Sequence, residues 1–254
     1  MNLTRAQQSL LRSLYTRHGR KKSGLCVAEG VRSVGELCAA NSDAVEFFVC
    51  QDGVRPPVDC APVYEVSESV FSSLSATVHG QGILAVARIP APADEKIVPA
   101  DPYLLALDRV GDPGNFGTIC RTAKASGLQE LWLTAGSVDP YGDKALRAGL
   151  GSQFSMRIRL FADLQSLAAA AEAFGYGPVW LTDPHQGDNL YHVEDLYRKS
   201  VLVIGSEGAG VGDLAGARRV TIPMPGNFES LNAAQAATIF LFEAVRRQYD
   251  RHDF

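Results

Sequence analysis

Three separated stretches of this chain combine glycine or proline with a few polar residues beside an apolar segment. They are Asn-Phe-Gly-Thr-Ile-Cys-Arg at 115–121, Ile-Gly-Ser-Glu-Gly at 204–208, and Ile-Pro-Met leading to Glu-Ser-Leu-Asn within 222–232. Glycine allows the backbone to approach a bound molecule closely, and proline holds a loop extended. The composition therefore predicts loops that present backbone groups to a ligand.

The first stretch follows a strand predicted to end at Asp108 and a turn rich in glycine, proline and aspartate. Asn115 is predicted to cap the next helix, and Arg121 comes about one and a half turns later among small and apolar residues. A guanidinium in such a helix should contact a partner, because burying it unpaired is costly. A strand–turn–helix connection with a surface arginine also explains these residues. A Walker phosphate loop is excluded, because no Gly-Lys-Ser/Thr follows the glycines.

The second stretch places Glu207 among glycines directly after the apolar strand 201–204. The Gly-Ala-Gly-Val-Gly spacing at 208–212 differs from G-x-G-x-x-G, which argues against a Rossmann-type dinucleotide loop. A carboxylate disfavours an anionic ligand and suits one that carries a cationic centre or hydroxyl groups. A solvated acid in a loop is the structural alternative.

The third stretch contains two prolines and a glycine, which fix an extended loop before the last helix. Either Ser230 or Asn232 can cap that helix, so capping explains one of the two residues but not both.

In order and wording, the three stretches resemble the three motifs of the SpoU (TrmH-like) branch of the SPOUT superfamily of knotted RNA methyltransferases. The resemblance implies S-adenosyl-L-methionine as methyl donor, a ribose 2′-hydroxyl as acceptor, no required metal, a C-terminal trefoil knot and a homodimer. It assigns catalytic positions to Arg121, Asn115, Ser230, Asn232 and Glu207. It assigns the donor site to Ile204, Gly205, Ser206, Gly208, Ile222, Met224 and Leu231.

The elements that must position these loops form an α/β pattern. Continuous apolar strands that alternate with helices after residue 103 suit a mostly parallel sheet with helices on both faces. A proline-rich stretch at 90–102 predicts a linker, and we place the boundary near residue 94, between domains 1–93 and 94–254. The first domain begins with a helix over 3–15, which Gly19 is predicted to stop. Its sequence at 19–22, 27–30 and 81–86 resembles the ribosomal-protein-like α/β domain that binds substrate and precedes many SpoU catalytic domains.

Positive charge is concentrated at the start of a chain whose net charge is -4. Residues 1–22 contain six Lys and Arg and no Asp or Glu, which suggests a phosphate-binding surface or a solvated helix face. Lys144 and Arg147 share a helix face by their i, i+3 spacing, although a plain surface helix would look the same. The predicted RNA-binding residues are Arg17, Arg20, Lys21, Lys22, Lys144 and Arg147.

The remaining composition favours a cytoplasmic protein. Five cysteines lack C-x-x-C spacing and suit reduced packing residues, and no apolar run approaches the roughly 20 residues of a membrane helix. Ribosomal RNA is the favoured partner and transfer RNA the alternative. A non-catalytic RNA-binding ribosome-assembly factor on the same fold and a nucleotide-binding oxidoreductase are the rival interpretations.

Overall fold

The chain forms two compact units in the computed structural model. The structure describes residues 3–78, 80–92, 96–206, 208–226 and 228–249. The first unit comprises Met1–Ala91 and Asp139–Ser155, and the second comprises Pro92–Val138 and Met156–Phe254.

The division between the units lies between Ala91 and Pro92, close to the boundary expected near residue 94, which is itself outside the described residues. One difference from the sequence-based division is substantial. The segment Asp139–Ser155, assigned from sequence to the C-terminal domain, belongs to the first unit.

A four-stranded sheet covered on both faces forms the first unit. Its strand order is β1-β4-β2-β3, with only β2 and β3 parallel. The elements of residues 5–88 are α1 Arg5–Leu14, α2 Arg17–Ser23, β1 Leu25–Glu29, α3 Val31–Asn41, β2 Val45–Gln51, β3 Val63–Val66, α4 Glu68–Leu74 and β4 Ile83–Arg88.

Side chains of this sheet alternate between two cores, as the two-residue period of a strand requires. Along β4, Ile83 and Ala85 pack into the core that contains Val34 and Leu37 of α3. Leu84 packs on the other face, into the core that contains Leu11 of α1. Burial on both faces explains why these strands read as unbroken apolar runs.

Gly19 does not end the first helix, contrary to the sequence-based prediction. α1 ends at Leu14, and Thr16 caps a second helix, α2, by accepting a hydrogen bond from the Gly19 N–H. A Cβ atom at position 19 would lie 2.1 Å from the Ser13 carbonyl oxygen, so the glycine permits close packing of two helices. Gly24, with φ of 71°, ends α2.

The second unit is built on a seven-stranded sheet in which every described strand pair is parallel. This architecture confirms the predicted α/β class with a mostly parallel sheet. The strand order is β7-β6-β5-β10-β8-β11-β9. The remaining elements are β5 Leu104–Asp108, α5 Pro113–Ala125, β6 Glu130–Thr134, α6 Asp143–Ala148 of the first unit, β7 Arg157–Phe161, α7 Leu164–Ala173, β8 Val179–Thr182, β9 Asp188–Asn189, β10 Val201–Gly205, β11 Arg218–Thr221 and α8 Ala233–Tyr249.

A buried carboxylate joins two neighbouring strands of this sheet. Glu130 on β6 accepts hydrogen bonds from the Arg159 guanidinium at 2.9 Å and the Trp132 indole at 3.1 Å. Burial alone would raise the pKa of Glu130, but these bonds and the charges of Arg159 and Arg157 lower it. The carboxylate therefore stays ionised inside the sheet.

Cysteines contribute to packing as predicted. Cys26, Cys38 and Cys50 belong to the core beneath α3, and Cys120 is buried on α5. Burial raises the pKa of Cys26 to about 12, so its thiol stays protonated at neutral pH. Among the described residues, no helix combines the length and the apolar character needed to cross a bilayer.

The returning segment 139–155 is tied to the first unit by a largely buried ion pair. Asp139 accepts hydrogen bonds from Arg20 Nη2 at 2.7 Å and from Arg20 Nε at 2.9 Å, while Arg20 Nη1 donates to the Leu14 carbonyl. Leu146 and Phe154 of the same segment enter the core beneath α3. Arg20 therefore connects α1, α2 and a segment more than 100 residues away.

We expect Arg20→Ala to destabilise the protein, whereas Lys21→Ala on the exposed side of α2 should not. Removing Arg20 leaves the Asp139 carboxylate without its partner, at a cost of roughly 2–4 kcal/mol for a pair that keeps some solvent contact. Urea unfolding of both variants measures this difference in the free energy of unfolding. Equal stabilities would show that the ion pair contributes nothing to the fold.

Candidate active site

The three sequence motifs meet at one edge of the second sheet. β10 lies between β5 and β8, and the carboxyl ends of β8, β10 and β11 border a cavity of about 230 Å³. Ligands of open parallel sheets bind at such carboxyl ends, where the strand order changes direction. All seven residues predicted for the donor site line this cavity: Ile204, Gly205, Ser206, Gly208, Ile222, Met224 and Leu231.

The cavity also contains residues that sequence reasoning missed. They are Thr182, Asp183 and Pro184 at the end of β8, Gly210 in the loop after β10, and Ala233, Ala236 and Phe240 of α8. Gly210 belongs to the glycine-rich stretch at 208–212. The other residues carry no local signal, because their place depends on which strands are neighbours in the sheet.

A tight turn explains the glycines of the second motif. Ser206 and Gly210 exchange two backbone hydrogen bonds of 3.2 and 2.9 Å, which fold the chain back on itself just after β10. A Cβ atom at position 205 would lie 2.3 Å from the Gly210 carbonyl carbon, so only glycine fits there. Backbone groups therefore form this wall of the cavity.

Asp108, at the end of β5, holds the far end of that glycine-rich loop. Its carboxylate is buried, with Oδ2 accepting from the Gly212 N–H at 2.9 Å and Oδ1 accepting from the Thr134 hydroxyl at 2.7 Å. The Arg109 guanidinium lies 3.0 Å from the same carboxylate. Asp108 thus joins β5, β6 and the loop after β10, a role not predicted from sequence.

A second carboxylate anchors the other side of the cavity. Asp183 accepts hydrogen bonds from the backbone N–H groups of His185 and Gln186, both at 2.9 Å, and from Arg219 at 2.7 Å. Partial burial raises the pKa of Asp183, but these hydrogen bonds and the charge of Arg219 lower it overall. An ionised carboxylate therefore borders the cavity at neutral pH. Arg219 also bonds Asp213, beyond the glycine-rich loop.

The first and third motifs contact each other through two asparagines. Asn232 Nδ2 donates to Asn115 Oδ1 at 2.9 Å, while Asn232 Oδ1 accepts from the Ala234 and Gln235 N–H groups and caps α8. Asn115 is not the helix cap that we predicted. Asp112 caps α5 by accepting from the Asn115 N–H at 2.7 Å, because the helix begins earlier, at Pro113.

The remaining residues predicted to be catalytic differ in placement. Arg121 is exposed on α5, so its guanidinium does not carry the burial cost that motivated the search for a partner. Ser230 is exposed in the loop before α8. Glu207 lies outside the described residues. Within those residues, no cluster of three or more His, Cys, Asp or Glu side chains could hold a metal ion.

The predicted RNA-binding residues divide into free and tethered side chains. Arg17, Lys21, Lys22 and Lys144 are exposed on the first unit. Arg20 is buried against Asp139, which argues against a phosphate contact at this position. Arg147 is partly buried and pairs with Asp143 at 3.0 Å, one helical turn earlier on α6.

Comparison with known proteins agrees with this arrangement. The sequence model of the SpoU rRNA Methylase family matches residues 102–242, which is more than half of the chain. The chain belongs to the SpoU rRNA methylase family. The MRM3-like substrate binding domain matches residues 9–85 of the first unit. The family resemblance inferred from the three motifs is confirmed.

Relatives cover nearly the full length of the chain. A 23S rRNA (guanosine(2553)-2′-O)-methyltransferase of Bacillus subtilis, RlmP, is 33% identical over 91% of this chain and 92% of its own length. An uncharacterised tRNA/rRNA methyltransferase of Synechocystis is 32% identical over 94% of this chain and 90% of its own.

Two solved structures also match nearly the full length of this chain. The AdoMet-bound rRNA methyltransferase of Sinorhizobium meliloti superimposes with a TM-score of 0.83 at 29% identity, covering 97% of both chains. The SpoU methyltransferase AviRb of Streptomyces viridochromogenes, in complex with AdoMet, gives 0.81 at 27% identity, covering 96% of this chain and 99% of AviRb. A structure concerned with methylation of C/U34 on tRNA covers 59% of this chain and 99% of its own, with a TM-score of 0.51 and 29% identity.

We expect Asp108→Ala to weaken binding of S-adenosyl-L-methionine, because the glycine-rich loop loses its anchor. A hydrogen bond to a charged group contributes ~1.5–3 kcal/mol, so affinity should fall about tenfold or more if the loop is released. Isothermal titration calorimetry measures this change.

Asp101→Ala is the matched control, since Asp101 is equally buried but accepts backbone N–H groups from Gln129 and Glu130 and not from the glycine-rich loop. It should lower the melting temperature without a comparable loss of donor affinity. Similar losses of affinity in both variants would assign the effect to general destabilisation.

Proposed function

We propose that this protein transfers the methyl group of S-adenosyl-L-methionine to a ribose 2′-hydroxyl of ribosomal RNA. The observation that carries this proposal is the cavity at the ends of β8, β10 and β11, which gathers all seven residues of the predicted donor site. The enzyme class agrees with relatives named as 23S rRNA 2′-O-methyltransferases. The donor agrees with related structures that contain AdoMet.

The cavity has the chemistry that this donor requires. Ile204, Ile222, Leu231 and Phe240 provide apolar walls suited to an adenine ring, and the turn at 205–210 provides backbone polar groups. The ionised Asp183 adds negative charge, which favours a ligand with sulfonium and ammonium groups. Glu207 lies outside the described residues, and its role at the site stays a prediction from the sequence.

When bound, S-adenosyl-L-methionine would supply a methyl group already activated by its sulfonium. The 2′-hydroxyl oxygen would bond to the methyl carbon as the carbon–sulfur bond breaks, so that S-adenosyl-L-homocysteine leaves and the hydroxyl proton passes to solvent. The chain must then hold the hydroxyl in line and stabilise the charge that develops on its oxygen. A guanidinium stays protonated at neutral pH, so Arg121 acts as an orienting and charge-stabilising group rather than as a base. Asn115 and Asn232, joined by their hydrogen bond, support the same acceptor position. Ser230, which precedes Asn232 in the loop before α8, completes the proposed set.

Ribosomal RNA is favoured over transfer RNA by the extent of the similarities. The B. subtilis rRNA methyltransferase matches both units of this chain, whereas the tRNA-related structure matches 59% of it. A dedicated first unit with exposed Arg17, Lys21, Lys22 and Lys144 suits recognition of structured RNA. We infer that residues 1–93, together with the segment 139–155, bind RNA. We infer that the second unit carries out methyl transfer.

We also infer a trefoil knot in the second unit and a homodimer that packs through it. The insertion of β10 between β5 and β8 supports a threaded connection, and the exposed Phe242 and Tyr249 on α8 support a partner surface. A cytoplasmic location remains a prediction from composition.

Purified protein should transfer labelled methyl groups from S-adenosyl-L-methionine to unmodified 23S rRNA transcribed in vitro, at a ribose that becomes resistant to alkaline cleavage. The activity follows from the donor cavity and the acceptor residues beside it. Labelling of bulk tRNA alone would favour the tRNA alternative. RNA binding without transfer would favour a non-catalytic assembly factor.

Arg121→Ala should abolish most methyl transfer while leaving donor binding nearly intact, because Arg121 is not among the residues that line the donor cavity. Loss of one group that stabilises developing charge costs about 10²–10³ in rate. Single-turnover rates at saturating RNA measure the effect. Lys124→Ala, which removes a positive charge from the same helix, is the control. A rate for Arg121→Ala within a few-fold of the control would remove Arg121 from the catalytic set.

A further inference from the structure

The first unit contains a second cavity, of about 350 Å³, that methyl transfer does not use. Its lining includes Arg32 and Ser33 of the first turn of α3, Gln81 before β4, and Arg147 of α6. It also includes Glu29, the last residue of β1. The cavity therefore forms where β1 leads into α3.

The first turn of α3 is open to an anion. Its N-cap residue is Gly30, which provides no side-chain hydrogen bond, and no acidic residue occupies the first turn. The Val31 N–H donates to Gln81 Oε1 at 2.8 Å, while Arg32 places a positive charge in the same turn. The amino end of an 11-residue helix carries partial positive charge, which favours negatively charged ligands.

A hydroxyl without a protein partner opens into the cavity. Ser33 is 2% exposed and lines the cavity, and no hydrogen bond to its side chain is found among the described residues. Its Oγ is not one of the fully buried polar atoms without a partner, so the hydroxyl is accessible from the cavity. An oxygen-rich ligand in the cavity would accept this hydrogen bond.

The charges that line the cavity favour an anion over a cation. Arg32 and Arg147 contribute two guanidinium groups, and Glu29 contributes one carboxylate. The Glu29 oxygens are already engaged, because they accept hydrogen bonds from the Ser75 and Thr77 hydroxyls and from the Ala76 N–H. Arg147 Nη1, in contrast, lies near the Asp143 and Glu29 carboxylates but is a buried atom without an aligned hydrogen bond.

We propose that this cavity binds a backbone phosphate of the substrate RNA, with Arg32, the Ser33 hydroxyl and the first turn of α3 as its contacts. The inference rests on the proposed function, since the RNA is the substrate of the methyl transfer. It deepens that function by assigning a phosphate subsite in the first unit, separate from the basic residues at 17–22. Phosphate oxygens accept hydrogen bonds from hydroxyl, amide and guanidinium donors alike, which matches the donors present.

Arg32→Glu tests this subsite, with Arg55→Glu as the matched control. Arg55 is an exposed arginine of the same unit, paired with Glu65, and it does not line the cavity. Binding of both variants to unmodified 23S rRNA is measured by filter retention across a series of salt concentrations. We expect Arg32→Glu to weaken binding at least several-fold and to reduce the salt slope by about 0.7–0.9, the share of one phosphate contact. Ser33→Ala should weaken binding less, and Arg55→Glu should match the wild type.

The outcomes separate this inference from the proposed function. If the wild-type protein transfers methyl groups to rRNA, and Arg32→Glu binds RNA as tightly as Arg55→Glu, the proposed phosphate subsite is wrong and the proposed function stands. Absence of methyl transfer by the wild type would overturn the proposed function instead. If inorganic phosphate raises the melting temperature of the wild type but not of Arg32→Glu, and RNA affinity is unchanged, the cavity binds a free anion and the RNA assignment is wrong.

Discussion

The second unit depends on one strand, β10, that pairs in parallel on both sides. Val201–Gly205 is fully buried, and its residues pair with β5 from Leu104 to Asp108 and with β8 from Val179 to Leu181. Parallel strands in register end at the same edge of a sheet. Gly205 is therefore held beside Asp108, so the loops of the first two motifs begin side by side. The cavity at the ends of β8, β10 and β11 is a consequence of this pairing.

Glycine-rich loops are costly to order, because glycine loses more conformational freedom on folding than any other residue. Two carboxylates offset this cost at the cavity. Asp108 holds Gly212 at the end of the glycine-rich turn, and Asp183 is fixed by the backbone N–H groups of two following residues and by Arg219. Neither carboxylate needs to touch the reacting atoms to matter, since each sets where loop backbone can lie.

Arginines illustrate how one residue type serves two purposes in this chain. Arg20, Arg159 and Arg219 each bond a carboxylate and hold distant segments together. Arg121 and Arg32 are exposed, and we propose that both act on the RNA. Composition and spacing suggested a basic stretch at 17–22, but they could not separate Arg20 from its neighbours. The distinction depends on Asp139, a partner 119 residues away in sequence.

The sequence by itself determined the features that depend on neighbouring residues. The apolar strand expected at 201–204 is observed as Val201–Gly205, because buried parallel strands are unbroken apolar runs. Seven of the residues that line the cavity at the ends of β8, β10 and β11 were also predicted, through the resemblance of the three motifs to the SpoU family. Only the tertiary structure decided that segment 139–155 packs with the first unit, that Gly19 lies inside a helix, and that Asp108 and Asp183 anchor the cavity. Gly19 depends on the nearby cap at Thr16, but the other features involve contacts between residues far apart in the chain, which no local pattern of residue types encodes.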